Sequence, residues 1–289
     1  AFKALTEIQQ EALTAIENGF QEKEVCLLHG VTGSGKTELY VQLIQQYLDL
    51  GKQVLFLIPE IALTTQLIKR LQKYFGQLVG VYHSRFNQNE RVEIWNHVLN
   101  NDPNKFRIIV GARSSVFLPF ADLGLVIVDE EHEASFKQYD PSPRYNARDA
   151  AIVLAKFHEA KVLLGSATPA IETYYNALQG KYHLVNLQER YKGLQLPSML
   201  CADLKREKKL KNMQSHFSSL LLTEMRSVLE KKEQIILFQN RRGYTPIWSC
   251  EVCSWTPRCQ HCDVSLTYHK HSNMLKCHYC SYTIPPVGS

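Results

Sequence analysis

The chain has 289 residues and a mass of 33.2 kDa, which suits about two domains and allows a sizeable buried core. Its 45% apolar composition excludes an intrinsically disordered chain, and its net charge of +5 permits a polyanionic partner without requiring one. No apolar run approaches the roughly 20 residues that a membrane-spanning helix needs. This argues against a secreted or integral membrane protein and predicts a cytoplasmic location with no membrane partner.

The first 191 residues alternate between predicted helices and strands. The amino-terminal segment mixes charged and apolar residues as an amphipathic helix does, and residues 37–50 and 61–75 carry apolar helical stripes that stop at Gly51 and Gly76. Short apolar runs with little polar alternation separate these segments, which is typical of parallel strands buried on both faces. The pattern predicts an α/β fold whose strands include residues 25–28, 54–58, 108–110, 125–128 and 162–164.

The α/β pattern weakens after residue 191. Residues 201–216 are charged and poor in large apolar side chains, so we interpret them as a connection. A predicted helix at 218–232 and a predicted strand at 235–238 then begin a second lobe. The expected division is a first lobe at 1–191, a linker at 192–216, the start of a second lobe at 217–249 and a cysteine-rich region at 250–289.

A phosphate-binding loop is predicted where the first strand meets the next helix. The segment GVTGSGKT has glycines that let backbone N–H groups approach phosphate oxygens, and the helix amino terminus adds partial positive charge. We expect Lys36 to reach the β- and γ-phosphates and the Thr37 hydroxyl to hold Mg²⁺. The alternative is a tight strand-to-helix turn with an exposed lysine. The predicted nucleotide-binding residues of this loop are Gly30, Val31, Thr32, Gly33, Ser34, Gly35, Lys36 and Thr37.

A second acidic motif, DEEH at 129–132, directly follows an apolar run and therefore lies at the end of a predicted strand. There Asp129 is expected to coordinate Mg²⁺ and Glu130 to orient and deprotonate an attacking water. Adjacent carboxylates repel one another unless a cation or hydrogen bonds compensate, and a magnesium ion supplies that compensation. The alternative is a solvated acidic turn. Together, the glycine loop and the acidic motif indicate hydrolysis of a nucleoside triphosphate.

The order and spacing of GSGKT, DEEH and SAT at 166–168 resemble those of superfamily 2 helicases. Several longer stretches are similar to those of bacterial replication-restart helicases within that superfamily, and the similarity extends over almost the whole chain. These stretches are VYHS at 81–84, ERVEIW at 90–95, GARSSVFLPF at 111–120, LGLVIVDEEHEASFKQYDPSPRYNARDAA at 123–151, LGSATPAIET at 164–173, and FQNRRGY just before the cysteines.

This resemblance implies a RecA-like parallel-sheet motor lobe, followed by a partial second lobe that carries a zinc-binding insertion. It implies ATP-driven 3′-to-5′ movement along single-stranded DNA and the unwinding of stalled or branched replication forks. Primosome proteins and single-stranded-DNA-binding protein are the implied partners, because the family starts primosome assembly. The implied cofactors are ATP, Mg²⁺ and Zn²⁺.

The resemblance also implies roles for single residues. Lys36, Asp129 and Glu130 match the family's catalytic positions, and Gln9 matches its adenine-side glutamine. The family's usual GTRSA reads GARSS here, which keeps Arg113. Coupling of hydrolysis to DNA movement is expected from His132, Ser166, Ala167 and Thr168.

The residues after DEEH mix aromatic and cationic side chains in a proline-containing loop. Bases stack on aromatic rings and cations contact phosphates, so this composition indicates a nucleic-acid contact that signals to the adjacent ATP site. The alternative is ordinary packing, with Phe136 or Tyr145 in the core and Arg148-Asp149 as a charge pair at a helix start. With the GARSS arginine, the predicted DNA-binding residues are Arg113, Phe136, Lys137, Tyr139, Arg144, Tyr145 and Arg148.

Six of the eight cysteines form three Cys-x-x-Cys pairs between residues 250 and 280, which favours a metal site over disulfides. Zinc is the expected ion, and a segment so poor in aliphatic residues needs it to fold. In the family a fourth pair completes a second, interleaved zinc site, and we infer that the chain is truncated before that pair. Cys26 and Cys201 are interpreted as non-ligand thiols. We expect a complete site from Cys259, Cys262, Cys277 and Cys280, half of a second site from Cys250 and Cys253, and no ligand role for His261, His269, His271 or His278.

Two other functions fit parts of the sequence. An RNA helicase has similar motor motifs, and a non-motor zinc-ribbon scaffold could bind ATP as a structural ligand only. The motifs include no later arginine that acts as a finger on the γ-phosphate, and the family's amino-terminal DNA-binding region is not present. We therefore expect this stretch by itself to bind ATP and to hydrolyse it slowly.

Overall fold

The chain divides into two compact units, Ala1–Pro197 and Ser198–Ser289. The first is built on a parallel sheet and the second contains short helices and a small antiparallel sheet. The computed structural model describes residues 3–59, 65–82, 88–139, 142–189, 197–238, 250, 255–260, 265–277 and 281–286.

Seven strands in the described part of the first unit form one sheet in which all pairs are parallel. The inner strands are buried along almost their whole length, since helices cover both faces of the sheet. The strands are β1 (Val25–Gly30), β2 (Gln53–Leu57), β3 (Val79–Tyr82), β4 (Ile108–Gly111), β5 (Leu123–Asp129), β6 (Lys161–Ser166) and β7 (His183–Leu187), in the spatial order β3-β4-β2-β5-β6-β1-β7.

Two of the helices in the first unit begin at side-chain caps. The Thr6 hydroxyl accepts from the Gln9 backbone N–H and the Gln9 side chain accepts from Thr6, forming a capping box at the first helix. Asn146 caps the fifth helix by accepting from the Arg148 backbone N–H. The helices are α1 (Glu7–Glu22), α2 (Lys36–Asp49), α3 (Thr65–Phe75), α4 (Gln88–Leu99), α5 (Ala147–Phe157) and α6 (Ile171–Leu178).

Apolar side chains cover both faces of the sheet. On one face, α1, α2 and α3 pack against alternate residues of the inner strands, including Leu28 and Phe56. On the other face, α4, α5 and α6 pack against the intervening residues, including Leu27 and Leu55. Because β5, β6 and β1 are neighbours and point the same way, their carboxyl ends lie side by side, and ligands bind at this edge in open α/β sheets.

The second unit has two helices and a small antiparallel sheet in its described residues. Four buried residues form its cluster, Cys259, Leu266, Leu275 and Cys277. No helix in the described part of the whole chain is both long and apolar enough to span a bilayer. The elements of the second unit are α7 (Leu204–Lys209), α8 (Ser219–Glu230), β8 (Thr267–His269), β9 (Met274–Lys276) and β10 (Thr283–Ile284), in the sheet order β10-β9-β8.

The five predicted strands and the α/β class are confirmed. The edge strands β3 and β7 were missed, since Gly80 interrupts the short apolar run of β3 and the polar His183 and Asn186 belong to β7. The predicted strand at 235–238 is wrong. No described residue pairs with this segment, and a strand needs a hydrogen-bonded neighbour; Ile236 is 94% exposed. The predicted connection at 201–216 also contains α7, which starts at its Asp203 cap.

Candidate nucleotide-binding site

The glycine loop joins β1 to α2, as the sequence predicts. It is held to the sheet by the Val31 N–H, which donates to the Leu187 carbonyl at 3.1 Å, and closes on itself where the Ser34 N–H donates to the Val31 carbonyl. Gly33 and Gly35 have φ values of 80° and 86°, which favour glycine. Thr32 and Gly33 are exposed at the tip, whereas Ser34 is buried, with a hydroxyl that has no hydrogen-bond partner in the described part of the chain.

Lys36 and Thr37 form the first turn of α2, next to this loop. The Lys36 ammonium donates to the Gly30 carbonyl at 2.8 Å, so it lies back across the loop. This places a positive charge and a set of backbone N–H groups at the amino terminus of a 14-residue helix, an arrangement suited to binding phosphate.

Gln9 connects α1 to the glycine loop. Its buried side-chain amide donates to the Ser34 carbonyl at 2.9 Å, while its Oε1 accepts from the Thr6 backbone N–H. The φ value of Gly35 favours glycine, and a Cβ at this position would also press on the end of the Gln9 side chain. The predicted contact of Gln9 with adenine remains a prediction.

Asp129 ends β5 beside this loop, and its carboxylate meets α2 through a residue that the sequence reasoning missed. The Tyr40 hydroxyl donates to Oδ1 of Asp129 at 2.9 Å. Burial raises the pKa of Tyr40 well above its usual value, with the Asp129 charge acting in the same direction, so the phenol keeps its proton. The sequence feature that points to Tyr40 is helical spacing, because a residue four positions after Lys36 lies on the same face of the helix.

The environment of Asp129 is both buried and charged. Burial raises the pKa of its carboxyl, and the charge of Glu130 raises it further, while the Tyr40 hydrogen bond and the Lys36 ammonium lower it. Lys36 belongs to α2, the helix whose Tyr40 donates to this carboxylate. A cationic loop and an oxygen ligand therefore share one edge of the sheet.

Glu130 and Glu131 point into different environments. Glu130 is partly exposed and has a φ value of 50°, a conformation that non-glycine residues seldom adopt. Glu131 is 2% exposed and accepts from the Ala170 backbone N–H, the Thr173 hydroxyl and the Arg148 guanidinium at 2.7–2.9 Å. The expectation that magnesium compensates all three acidic residues therefore needs correction, because Arg148 neutralises Glu131.

His132 links the acidic motif to the SAT segment. Its Nδ1 lies 2.8 Å from the Ser166 hydroxyl and its Nε2 lies 3.4 Å from the Thr168 hydroxyl. The Ser166 hydroxyl also accepts from the Thr168 backbone N–H, and Ala167 lies between them. The structure thus brings together the four residues for which coupling is predicted.

The aromatic loop after DEEH only partly matches its predicted role. Phe136 is 1% exposed and belongs to the core, so it presents no ring face to a base, and its predicted DNA contact is wrong in this conformation. Arg148 donates to Glu131 and Asp149, so it acts in an internal ion pair, which the packing alternative anticipated in part. The composition of the loop does not distinguish Phe136 and Arg148 from its exposed aromatic and cationic residues.

The remaining loop residues are accessible. Tyr139 is 53% exposed with the Lys137 ammonium 5.2 Å from its ring centre, and Arg144 is exposed. Arg113 approaches this loop by donating to the Lys137 carbonyl at 3.3 Å. These residues and Tyr145 form what we call the exposed aromatic-cationic surface, in which Lys137, Tyr139 and Arg144 are exposed and Arg113 and Tyr145 are half-buried.

The sequence reasoning missed Phe117, which extends this surface. Its ring is exposed and lies edge-on to the half-buried Tyr145, with ring centres 4.9 Å apart. Phe117 belongs to the GARSSVFLPF stretch, and its position four residues after Arg113 is the sequence feature that could have indicated it.

The cysteine-rich region is described only in part. Cys259 and Cys277 are buried in its cluster and Cys250 is exposed, whereas Cys253, Cys262 and Cys280 lie outside the described residues, as do His261 and His278. In the described part no three metal-binding side chains lie together. Of the cysteines expected not to bind metal, Cys26 is buried in β1 and Cys201 is exposed.

The sequence matches a helicase family over most of the first unit. Residues 6–177 match the family DEAD/DEAH box helicase. The chain belongs to this family. Residues 259–285 match a second family, the PriA DNA helicase Cys-rich region (CRR) domain.

Curated relatives and one solved structure extend this result. The chain is 42% identical to Replication restart protein PriA of Bacillus subtilis (strain 168), over 97% of this chain and 34% of that protein. It is 44% identical to the protein of the same name in Rickettsia conorii (strain ATCC VR-613 / Malish 7), over 96% of this chain and 42% of that protein. A structure of RecG bound to a three-way DNA junction is similar with a TM-score of 0.50 and 25% identity, over 68% of this chain and 25% of that chain. The chain therefore spans less than half of each of these relatives.

Proposed function

We propose that this chain is the ATP-binding part of a DNA helicase that moves 3′ to 5′, unwinds stalled or branched replication forks and starts primosome assembly. The observation that carries the proposal is the meeting of the glycine loop, Asp129 and the His132–Ser166 contact at one edge of the sheet. The identity to replication-restart proteins over nearly the whole chain supports the DNA substrate and the role in restart. The junction bound by the RecG structure supports branched DNA.

The residues at this edge fit ATP and Mg²⁺. The loop offers backbone N–H groups and the Lys36 ammonium to phosphates, and the Thr37 hydroxyl and the Asp129 carboxylate are the hard oxygen ligands that Mg²⁺ prefers. The ion neutralises phosphate charge when it is bound. We assign to Glu130 the role of orienting the attacking water and taking its proton, and its partial exposure next to Asp129 supports this assignment.

We place single-stranded DNA on the exposed aromatic-cationic surface. Tyr139 offers a ring for base stacking, which is worth about 1–3 kcal/mol per base, and Lys137 and Arg144 offer charges to phosphates. This loop ends at Arg148, whose guanidinium binds Glu131 of the acidic motif. DNA that displaces the loop therefore moves Arg148 and, through it, Glu131 of the acidic motif.

We place one zinc ion on Cys259, Cys262, Cys277 and Cys280, all of which lie inside the matched cysteine-rich family segment. Two of them, Cys259 and Cys277, are buried in the same small cluster, which supports a shared metal. Cys250 and Cys253 are proposed to belong to a second site that the full-length protein completes.

The proposed division keeps the first motor lobe at 1–191, a linker at 192–216, the start of the second lobe at 217–249 and the zinc region at 250–289. The match of residues 6–177 to the helicase family lies entirely within the proposed first motor lobe and supports it. Primosome proteins and single-stranded-DNA-binding protein are the proposed partners, in the cytoplasm.

Nucleotide binding and hydrolysis by this chain test the motor part of the proposal. Wild-type protein is expected to bind a fluorescent ATP analogue, Lys36→Ala to lose binding, and Glu130→Gln to bind normally while its slow hydrolysis disappears. Glu11→Gln, an exposed change on α1, is the charge-matched control. Wild-type hydrolysis by Glu130→Gln would favour a scaffold that uses ATP structurally.

Matched nucleic acids test the substrate. Single-stranded DNA is expected to bind more tightly than RNA of the same sequence, and Tyr139→Ala to weaken that binding. Tyr175→Ala, an exposed tyrosine on α6, is the control. Equal or tighter RNA binding would replace the DNA substrate by RNA. In the full-length protein, forks with 3′ or 5′ single-stranded tails test the direction of movement.

A further inference from the structure

We propose that Tyr40 is a positioning residue that holds the Asp129 carboxylate in the orientation that binds Mg²⁺. This inference rests on the proposed function and adds a residue to it. The Tyr40 hydroxyl lies 2.9 Å from Oδ1 of Asp129, and the side chain is fully buried. A donor on Oδ1 restrains the plane of the carboxylate, which keeps lone pairs to offer to a metal.

The tyrosine ring is itself held in place. It packs edge-on against Phe56 of β2 with ring centres 5.5 Å apart, inside the core cluster that α2 forms with the sheet. Because Tyr40 lies one helical turn after Lys36, the helix that presents the phosphate-binding lysine also carries the group that orients the metal ligand. The relative position of loop and carboxylate is thus set by one rigid helix.

The neighbouring strand is shaped around this hydroxyl. Gly165 of β6 pairs in register with Asp129 of β5, and a Cβ at Gly165 would lie 1.9 Å from the Tyr40 hydroxyl oxygen. That distance is far shorter than a van der Waals contact, and Gly165 does not have the positive φ value that would by itself favour glycine. Gly165 therefore provides space for the tyrosine hydroxyl, and α2, β5 and β6 meet at this hydrogen bond.

The variant Tyr40→Phe tests the proposal because it removes the hydroxyl and keeps the ring. The affinity of the chain for a fluorescent ATP analogue is measured across a Mg²⁺ titration and again in excess EDTA. We expect the Mg²⁺ concentration at half-maximal effect to rise about tenfold or more, in the range found for groups that orient metal ligands, with the EDTA affinity unchanged. Tyr47→Phe, a partly buried tyrosine on the same helix, is the matched control and is expected to behave as wild type.

Gly165→Ala provides a second test. The added methyl group is expected to displace the Tyr40 hydroxyl. The Mg²⁺ concentration at half-maximal effect is expected to rise at least as much as it does in Tyr40→Phe. Adding Tyr40→Phe to Gly165→Ala removes the closest clash, so the thermal midpoint of the double variant is expected to lie above that of Gly165→Ala alone. Thermal midpoints of all variants show which of them are folded at the assay temperature.

The possible results distinguish a failure of positioning by Tyr40 from a failure of the proposed function. If Tyr40→Phe retains the wild-type Mg²⁺ dependence, or weakens nucleotide binding equally with and without Mg²⁺, positioning by Tyr40 is overturned and the proposed function stands. If wild-type protein shows no Mg²⁺-dependent nucleotide binding at all, the proposed function fails first and this inference fails with it.

Discussion

The parallel-sheet unit buries long apolar side chains on both faces of its sheet, whereas the described part of the cysteine-rich segment has a cluster of only four buried residues, two of which are cysteines. Full burial of one aliphatic side chain stabilises a fold by about 1.5–3 kcal/mol, while ordering each residue costs about as much. Leu266 and Leu275, with the partly buried Tyr268, Tyr282 and Ile284 packed against them, give little burial to set against the ordering of a segment of this length. The contrast teaches that the first unit can fold by burial, and it leads us to expect that the cysteine-rich segment depends on the proposed zinc.

Removal of zinc is the strongest test of this contrast. Structural zinc contributes about 10–16 kcal/mol in small zinc domains, so a chelator is expected to unfold the cysteine-rich segment and leave the parallel-sheet unit folded. Trp95 lies on α4 of the first unit, and the other two tryptophans lie in the second. In a Trp95→Phe background, tryptophan fluorescence therefore reports on the second unit, while helical circular dichroism reports mainly on the first.

A matched pair of cysteine variants sharpens that test. Cys277→Ser removes a proposed ligand and is expected to abolish zinc retention measured by metal analysis, whereas Cys201→Ser, at an exposed position, retains it. Equal zinc content in both variants, or fluorescence that the chelator leaves unchanged, would show that the small segment does not depend on metal.

Truncation of Phe136 tests how far burial alone stabilises the first unit. Phe136→Ala leaves a cavity in the core and is expected to cost about 3–5 kcal/mol in the free energy of unfolding, measured by urea denaturation. Tyr139→Ala, three residues later on the exposed surface, is expected to change stability by less than about 0.5 kcal/mol. Similar losses in both variants would contradict the division of this loop into core and surface.

Arg148→Ala tests the polar part of the same unit. It leaves the buried Glu131 carboxylate without its cation, which is expected to cost about 3 kcal/mol. Adding Glu131→Gln removes the uncompensated charge, so the double variant is expected to be less destabilised than the sum of the two single variants. Strict additivity in urea denaturation would show that the two side chains do not interact energetically.

The smallest expected effect concerns the start of α1. Thr6→Ala removes one half of the capping box and is expected to cost about 1 kcal/mol, seen as a lower thermal midpoint. Thr14→Ala, at an exposed position inside the same helix, is the control and is expected to be neutral or slightly stabilising, because alanine favours helix interiors. A wild-type midpoint for Thr6→Ala would mean that the capping box contributes nothing to this unit.

Local patterns in the sequence predicted the inner strands, the glycine loop and the position of Asp129 at a strand end. Such features depend on neighbours along the chain, since an apolar run of strand length buries itself in any parallel sheet. The edge strand β7 escaped prediction because it is covered less completely and carries the polar His183 and Asn186, whereas β3 is a four-residue run interrupted by Gly80.

The sequence by itself determined the class of fold, the place of the glycine loop between β1 and α2, and the cysteine pairs, because spacing along the backbone is enough to define them. Only the tertiary structure decided that Phe136 is core while Tyr139 is surface, that Arg148 neutralises Glu131, and that Tyr40 reaches Asp129 across 89 positions. These contacts depend on which helix faces which strand end, and the order of strands in a sheet is set by the packing of the whole unit.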